Sequence, residues 1–152
     1  MNTRVTTEPL FGGSWEVDED ALCAIADQFV QQLVTPAVVH LTGELGAGKT
    51  TFARAMLRSL GVQGAVKSPT YTLIESYDVD LGVVAHLDLY RLEDPAELEF
   101  LGFRDLQEES ALMLVEWPER GRDALPAADW QVRIAYAGDQ RQLSIITSAG
   151  TG

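Results

Sequence analysis

Helical and strand-like spacings of apolar residues alternate along the chain and predict its elements. After Asp18, which can cap a helix N-terminus, apolar residues recur every three or four positions from Leu22 to Leu33, and Pro36 ends the pattern. A second helical pattern covers residues 51–60 and ends at a glycine. Three short apolar runs are typical of buried strands: 37–42, 83–88 and 111–116. Strands that alternate with helices predict an α/β fold.

Alternating polar and apolar residues predict further strands. Residues 72–77 and the run 83–88 are joined by a short turn and predict an antiparallel hairpin. Residues 129–136 and 141–147 predict a second hairpin, at the edge of the sheet. A short helix is expected between the two hairpins, over residues 96–101. The expected architecture is a mainly parallel sheet with antiparallel additions and helices on both faces.

The segment between the first buried strand and the second helix, Gly43-Glu44-Leu45-Gly46-Ala47-Gly48-Lys49-Thr50, matches the phosphate-loop pattern G-x-x-x-x-G-K-[ST]. Its glycines allow backbone N–H groups to point at phosphate oxygens, and the helix N-terminus adds partial positive charge. Lys49 can reach the β- and γ-phosphates, and the Thr50 hydroxyl can bind Mg²⁺. The candidate nucleotide-binding residues are Gly43, Glu44, Leu45, Gly46, Ala47, Gly48, Lys49, Thr50 and Thr51.

Two of the apolar strands end in a carboxylate, Asp88 and Glu116, and both are candidates for the metal side of this site. Strand ends beside a phosphate loop converge on the crevice where the ligand lies. Either residue can stand near the metal, or one can direct the ion while the other orients water. Thr70, in a Ser-Pro-Thr loop, is a candidate for sensing the γ-phosphate. Its alternative interpretation is an ordinary turn threonine.

The carboxylates and their neighbours also have structural interpretations. Asp88 can be a helix cap or a partner of Arg91. Glu116 can be a solvated strand end. His86, two positions before Asp88, is expected to be a hydrogen-bonded core residue. Trp117 either packs in the core or covers the nucleotide, and the sequence leaves both interpretations open.

Charge, length and composition narrow the class of function. The chain has 152 residues, enough for one domain, and its ends are expected to be loose over 1–13 and 148–152. Its 23 acidic and 11 basic residues give a net charge of −12, which argues against strong direct nucleic-acid binding. The single cysteine, Cys23, excludes an internal disulfide. No stretch is typical of a signal peptide or a membrane span, so a cytoplasmic location without membrane attachment is expected.

Five ordered sequence blocks, between about residues 38 and 120, resemble the TsaE (YjeE) family, the bacterial ATPase component of threonylcarbamoyladenosine synthesis on tRNA. The blocks are Gly43 to Phe52, Lys67 to Leu73, His86 to Leu92, Glu97 to Phe100 with Gly102 and Asp105, and Val115 to Pro118. The first helix and the last hairpin fit the family's length and layout but carry weak motifs.

The resemblance implies a small P-loop NTPase fold that binds ATP or ADP with Mg²⁺. Such a protein would hydrolyse ATP slowly, or only when partners engage it. The partners would be TsaD, which transfers the threonylcarbamoyl group to the adenosine beside the anticodon, and its paralogue TsaB. Hydrolysis would reset the TsaB–TsaD assembly between turnovers, and the free chain is expected to be a monomer.

The resemblance also assigns roles by position. Lys49 and the loop amides would bind phosphate, and Thr50 and Glu116 would coordinate Mg²⁺. Thr70 belongs to a switch-like loop, and Asp88 takes the Walker-B-like role, with metal contact as a further possibility. Lys49, Thr70, Asp88 and Glu116 are therefore the catalytic candidates.

Base recognition and activity leave alternatives. The family's adenine contacts come from the N-terminal segment and the last hairpin, where Ser14 and Arg141 are the candidates.

A GTPase is disfavoured because guanine selectivity usually relies on Asn-Lys-x-Asp, and the only asparagine is Asn2. A small-molecule kinase needs a lid with arginines, whereas residues 92–109 carry only Arg104 among many carboxylates. A non-catalytic nucleotide-gated binding module remains, because a P-loop domain without an arginine finger turns ATP over very slowly.

Overall fold

The computed structural model describes residues 13–148, which form a seven-stranded sheet with four helices. The strands are β1 Gly13–Val17, β2 Ala37–Thr42, β3 Ile74–Val79, β4 Gly82–Asp88, β5 Ser110–Glu116, β6 Trp130–Ala137 and β7 Gln140–Thr147. The helices are α1 Glu19–Gln31, α2 Lys49–Ser59, α3 Glu97–Phe100 and α4 Phe103–Glu109, with 3-10 turns at Pro118–Arg120 and Arg122–Ala124. Within residues 13–148, no helix has the length and apolar content that crossing a membrane requires.

The sheet is mixed, with strand order β1-β7-β6-β2-β5-β4-β3. Its four central strands, β6, β2, β5 and β4, run parallel to one another. Three of them, β2, β5 and β4, are the buried apolar runs of the sequence, whereas β6 was predicted only as part of the second hairpin. The outer pairings β1–β7, β7–β6 and β3–β4 are antiparallel. The antiparallel part is therefore larger than predicted, because β1 adds a strand that the sequence pattern did not reveal.

Both predicted hairpins form, but only one lies at an edge. β3 pairs with β4 in an antiparallel register from Ile74 opposite Leu87 to Val79 opposite Gly82. The β6–β7 hairpin lies inside the sheet, because β6 pairs with β2 and β1 covers β7. The prediction that this second hairpin forms an edge was wrong, since β1 occupies the edge instead.

The predicted loose ends overlap the described residues at two positions. Gly13 pairs with Ile145 in the β1–β7 ladder, and the Ser148 N–H donates to the Asp129 carbonyl at 2.9 Å. Both positions are therefore held by hydrogen-bonded neighbours, contrary to the prediction. The remainder of those ends, 1–12 and 149–152, lies outside the described residues.

The predicted short helix over 96–101 is observed as α3, and a second short helix, α4, follows it. Gly102, at φ 75°, separates the two helices. The left-handed conformation at this position ends α3 and redirects the chain, which explains why a glycine occurs there.

Helices cover both faces of the sheet, as predicted. On one face, α1 and α2 pack on side chains such as Val39, Leu114 and Ile134, all of which are fully buried. On the other face, α3 and α4 pack with Leu98 and Phe103 on alternate residues of β4 and β5. Burial of each large apolar side chain stabilises the fold by about 1.5–3 kcal/mol.

Local sequence determines where the two larger helices begin. The Asp18 side chain accepts a hydrogen bond of 2.8 Å from the Ala21 N–H and caps α1, as predicted. α2 begins at Lys49, directly after the loop glycine Gly48. The first turn of α2 therefore contains the two polar residues of the phosphate-loop pattern, Lys49 and Thr50.

The strand register brings the predicted site residues to one edge of the parallel strands. Glu116, the last residue of β5, lies opposite Leu41 of β2 on one side and Asp88 of β4 on the other. The loop 43–48 leaves β2 at this same edge. The carboxyl ends of β2, β4 and β5 therefore meet the N-terminus of α2, which is where α/β sheets bind ligands.

Candidate functional site

The glycine loop 43–48 is braced by strand β6 on its outer side. A Cβ on Gly43, which has φ 151°, would overlap the carbonyl oxygen of Ile134. The Tyr136 hydroxyl donates to the Leu45 carbonyl at 2.9 Å and would be crowded by a Cβ on Gly46. The close approach of β6 therefore requires glycine at the first loop position and fixes the curvature of the loop.

Lys49 is buried, with 4% of its surface exposed, and its ammonium lies inside the loop. Nζ donates to the carbonyls of Gly43 at 2.6 Å and Glu44 at 2.9 Å. It also lies 4.4 Å from the centroid of the Trp117 ring. Burial lowers the pKa of Lys49, while the nearby carboxylates, Glu116 foremost, oppose that shift. The positive charge thus lies where the loop would receive a phosphate.

Glu116 links the loop side of the site to the sheet. Its Oε1 accepts a hydrogen bond of 2.8 Å from the Thr50 hydroxyl, and its Oε2 lies 2.7 Å from His86 Nε2. Glu116 is 2% exposed and His86 is fully buried. The other ring nitrogen, His86 Nδ1, has no hydrogen-bond partner within residues 13–148. The prediction of a hydrogen-bonded core histidine is confirmed, and the interpretation of Glu116 as a solvated strand end was wrong because its strand ends beneath the loop.

Asp88 lies beside Glu116 in the ladder and joins the Thr70 loop to the site. Its Oδ2 accepts from the Thr70 hydroxyl at 3.3 Å, and its Oδ1 accepts from the Tyr90 N–H at 3.1 Å. The Thr70 hydroxyl also shares a 2.8 Å hydrogen bond with Ser68. Burial raises the pKa of Asp88, opposed chiefly by the Tyr90 N–H bond. The Asp88 carboxylate thus lies at the end of the sheet where the glycine loop 43–48 begins.

The alternative partner of Asp88, Arg91, lies elsewhere. Its guanidinium is 4.5 Å from the centroid of the Tyr71 ring. Trp117 adopts a left-handed backbone conformation, φ 58°, and its ring lies 4.9 Å from the Tyr90 ring as well as beside Lys49. Trp117 therefore packs as a wall of the site beside the lysine, and its role in covering a nucleotide stays a prediction.

The predicted polar residues surround one cavity of about 200 Å³. Its lining includes both carboxylates, three threonines and the lysine, together with two aromatic side chains. The lining residues are Leu45, Gly46, Gly48, Lys49, Thr50, Thr51, Thr70, Asp88, Tyr90, Glu116 and Trp117. We call this space the phosphate-side cavity.

A second cavity, of about 280 Å³, lies on the other side of the same loop and shares Gly46, Gly48 and Thr51 with the first. We call it the outer cavity. Arg141 lines it, donates from Nε to the Ala47 carbonyl at 2.9 Å and lies 4.4 Å from the centroid of the Tyr136 ring. The remaining lining residues are Val17, Asp18, Glu19, Leu22, Ala47, Asp139 and Gln140.

Ser14 is not brought to either cavity. It lies on the exposed side of β1, where its hydroxyl bonds to the Ser144 hydroxyl and accepts from Gln142 Nε2. The residues from this part of the chain that line the outer cavity are instead Val17, Asp18, Glu19 and Leu22. The alternation of Trp15 and Val17 with polar neighbours is the signal that could have revealed β1 and located them.

The donor set suits a cation that is held partly by a ligand. Within residues 13–148, no group of three or more His, Cys, Asp or Glu side chains is arranged to hold a metal ion. The phosphate-side cavity offers the Thr50 hydroxyl with the Glu116 and Asp88 carboxylates. Mg²⁺ is commonly bound by one or two carboxylates together with substrate phosphates and water, and these residues fit that pattern.

Comparison with known proteins assigns the family. The family model described as "Threonylcarbamoyl adenosine biosynthesis protein TsaE" matches residues 17–143. The chain belongs to the TsaE family. The TsaE protein of Haemophilus influenzae is 50% identical over 115 residues, which cover 76% of this chain and 73% of that protein. The TsaE protein of Bacillus subtilis is 38% identical over 113 residues, which cover 74% and 70% respectively.

A solved structure agrees with the TsaE assignment. The crystal structure of YdiB from Bacillus subtilis aligns with a TM-score of 0.74 and 28% identity, over 95% of this chain and 91% of that one. The family match spans every described residue that lines the two cavities. The family predicted from the sequence blocks is thus confirmed.

Proposed function

We propose that this chain is a Mg²⁺-dependent ATP hydrolase with a P-loop NTPase fold that serves threonylcarbamoyladenosine modification of tRNA. The observation that carries the proposal is the 2.8 Å hydrogen bond between the Thr50 hydroxyl and Glu116, directly beside the buried ammonium of Lys49. This hydrogen bond connects two parts of the site. One is the first turn of α2, which follows the glycine loop, and the other is a carboxylate at the end of a parallel strand. P-loop NTPases use the same pair of elements, a hydroxyl after the loop and a strand-end carboxylate, for their metal site.

The loop side would bind the phosphates. The N–H groups of the loop and of the first turn of α2 supply donors, and the helix N-terminus favours negative charge. Lys49 now donates to two loop carbonyls, at 2.6 and 2.9 Å, so a phosphate that enters would replace these carbonyls as its partner. The buried ammonium strengthens that exchange because an ion pair is screened less away from water.

The strand side would bind the metal and the attacking water. A bound Mg²⁺ would supply positive charge beside the nucleotide phosphates. Thr50 and Glu116 would hold the ion, and His86 holds the second carboxylate oxygen of Glu116 in place. Asp88, oriented by Thr70 and the Tyr90 N–H, would accept a hydrogen bond from water at the end of the phosphate chain.

The outer cavity would bind the nucleoside. It shares two loop glycines and Thr51 of α2 with the phosphate-side cavity, and the two volumes together fall in the range of small-molecule sites, about 300–1,000 Å³. Arg141 gives this cavity a planar cation and Leu22 gives it an apolar wall. Ser14, which lies on the other face of β1, has no part in this proposal.

Slow turnover by the free chain follows from what lines the phosphate-side cavity. None of its described lining residues is an arginine, and Arg141 faces the outer cavity. An arginine that stabilises the transition state accelerates hydrolysis by about 10³–10⁵-fold in related sites. We therefore propose that TsaB and TsaD activate the chain. We place this activity in the cytoplasm, where tRNA is modified, and propose that the chain acts on these two proteins rather than on tRNA. The net charge of −12 supports docking to proteins over direct RNA binding.

The test is ATP hydrolysis by the purified chain with Mg²⁺, alone and with purified TsaB and TsaD. We expect a low rate alone and strong stimulation by the pair, with Lys49→Ala inactive in both. Binding of ATP with no hydrolysis under either condition would instead support the non-catalytic nucleotide-gated module. A small-molecule kinase gains no support, because Arg104 is 76% exposed and lies 3.4 Å from Glu99.

A further inference from the structure

A groove borders the end of the sheet that is opposite to β1. Within residues 13–148, β3 is the last strand in the sheet order, and β4 is the only strand beside it. One wall of the groove is β3 itself, with Ile74 and Ser76, and the other wall is the α3–α4 segment with Leu101 and Leu106. The groove measures about 480 Å³, and none of the described residues that line it lines the phosphate-side cavity. We call it the β3 groove.

The open edge of β3 gives this groove directional hydrogen-bonding capacity. A terminal strand leaves the N–H and C=O groups of one side unpaired, and these groups can pair with an added strand. Ile74 and Ser76 lie opposite Leu87 and Ala85 in the ladder and so share the face that α3 and α4 cover. A strand added beside β3 would place every second side chain over this face, between the strand and the helices.

An exposed aromatic residue, Phe100, directly precedes the groove residue Leu101 in the chain. Phe100 is 89% exposed, the largest exposed fraction among the large apolar side chains described, and its neighbour Leu101 is 44% exposed. Aromatic residues that a partner can cover are typical anchors of protein interfaces. The β3 groove thus combines a backbone edge with an apolar anchor.

The charge around the groove determines which occupant fits it. Glu75, Asp105 and Glu109 line it, and the α3–α4 segment adds Glu97, Glu99 and Glu108. Arg104, the one basic residue between 92 and 109, lies 3.4 Å from Glu99. Two copies of this chain would oppose their carboxylates across a β3–β3 pairing, which disfavours self-association.

We propose that the β3 groove binds an extended basic segment of another protein, which adds a strand to β3. Apolar side chains of the segment would cover Ile74, Leu106 and Phe100. Its lysine or arginine side chains would lie beside Asp105 and Glu109. This binding site is separate from the proposed ATPase site and does not depend on it.

A synthetic peptide tests the groove directly. The probe is a fluorescent nonapeptide of alternating lysine and valine, added to the full chain and followed by fluorescence anisotropy at two salt concentrations. A second titration, monitored by amide NMR shifts of the ¹⁵N-labelled chain, locates the bound peptide. We expect saturable binding that weakens with salt, with shift changes concentrated in β3 and in residues 100–109. A peptide with glutamate in place of lysine should not bind.

Two variants and their matched controls separate the groove from general charge attraction. Phe100→Ser and the double variant Asp105→Lys/Glu109→Lys should each weaken peptide binding about tenfold or more. Val34→Ser replaces another exposed apolar residue, and Asp20→Lys/Asp123→Lys makes the same charge change elsewhere, so both should bind as the unmodified chain does. Equal losses in variants and controls, or shift changes away from β3, would overturn the proposal.

The oligomeric state supplies an independent check. Sedimentation of the chain alone should give a monomer at every concentration tested. A dimer that Phe100→Ser dissociates would show that a second copy occupies the groove and would overturn the basic-segment proposal.

Discussion

His86 Nε2 lies 2.7 Å from Glu116 Oε2, and this buried pair connects β4 to β5 directly beneath the proposed metal position. The other oxygen of Glu116 accepts from Thr50. One oxygen of the carboxylate is therefore bonded to His86 of the sheet, and the other is bonded to Thr50 of helix α2. Removing the hydrogen-bond partner of a metal ligand commonly lowers metal affinity or activity by about 10–100-fold.

For His86→Ala we expect the Mg²⁺ concentration at half-maximal hydrolysis to rise about tenfold or more. The affinity for ADP measured without Mg²⁺ should stay unchanged, because the histidine acts through Glu116. His86→Gln retains an amide that can donate to the carboxylate and should restore most of the wild-type Mg²⁺ dependence. His40→Gln alters the chain's other histidine and is the matched control. A loss of Mg²⁺-free ADP binding in His86→Ala would mean that the residue is only structural.

Lys49→Ala should abolish detectable binding of ATP and ADP, because it removes the buried ammonium that faces the loop. Burial already lowers the pKa of Lys49, so the folded protein gains little from its charge, and we expect no fall in melting temperature. Titration calorimetry measures the binding, and a thermal melt checks the fold. Lys67→Ala changes the only other lysine, which is exposed, and should bind nucleotide normally. Nucleotide binding by Lys49→Ala would contradict the assigned phosphate contact.

Part of the site could be predicted because its signal is local in sequence. The bounds of β2, the cap at Asp18 and the carboxylates at the ends of β4 and β5 all follow from spacing within a few residues. The phosphate-loop pattern then fixes which strand ends matter, because parallel strands share an edge. The sequence alone leaves Asp88 and Glu116 as alternatives, and the β4–β5 ladder places them side by side.

Other parts depend on pairings between distant segments. β1 joins β7 across more than a hundred residues, and the alternating pattern of β1 indicates a strand without identifying its partner. The alternation of side chains along β1 places Val17, and not Ser14, at the outer cavity. The contact between His86 and Glu116 likewise needs the β4–β5 register, which no single segment contains.

Asp88→Asn should stabilise the ligand-free protein at neutral pH. Burial raises the pKa of Asp88 above its ordinary value of 3.8, so the folded state holds this proton more tightly than the unfolded state does. The free energy of unfolding therefore falls as the pH rises from 3.8 through the raised pKa, and the full loss is present above it. Thermal melts over a pH series should show a gain of a few degrees for Asp88→Asn at neutral pH that disappears below 3.8. Asp78→Asn, at an exposed position of β3, is the control. A gain that is equal at every pH would contradict this cause.

Thr70→Val should lower the rate of ATP hydrolysis and leave ADP affinity nearly unchanged. The Thr70 hydroxyl bonds to Asp88 at 3.3 Å and to Ser68 at 2.8 Å. It therefore links the Ser-Pro-Thr loop to the carboxylate that we propose orients the attacking water. The valine keeps the shape and removes only the hydroxyl. Thr72→Val removes a nearby exposed hydroxyl that bonds to Glu75, and its rate should match the unmodified chain. Equal losses of ATP and ADP affinity in Thr70→Val would make the residue structural.

Glu116→Gln should separate nucleotide binding from hydrolysis. The amide keeps the size of the side chain and can still accept from the Thr50 hydroxyl and pair with His86, so the fold should persist. The substitution removes the negative charge that we propose binds Mg²⁺. We therefore expect ATP turnover to fall about 100-fold or more, while nucleotide binding is retained. Single-turnover hydrolysis and equilibrium binding, measured on the same preparation, distinguish the two effects. Glu119→Gln removes a nearby exposed carboxylate and should turn over ATP normally. Turnover at the unmodified rate by Glu116→Gln would remove Glu116 from the metal site and leave Asp88 as the carboxylate that performs this role.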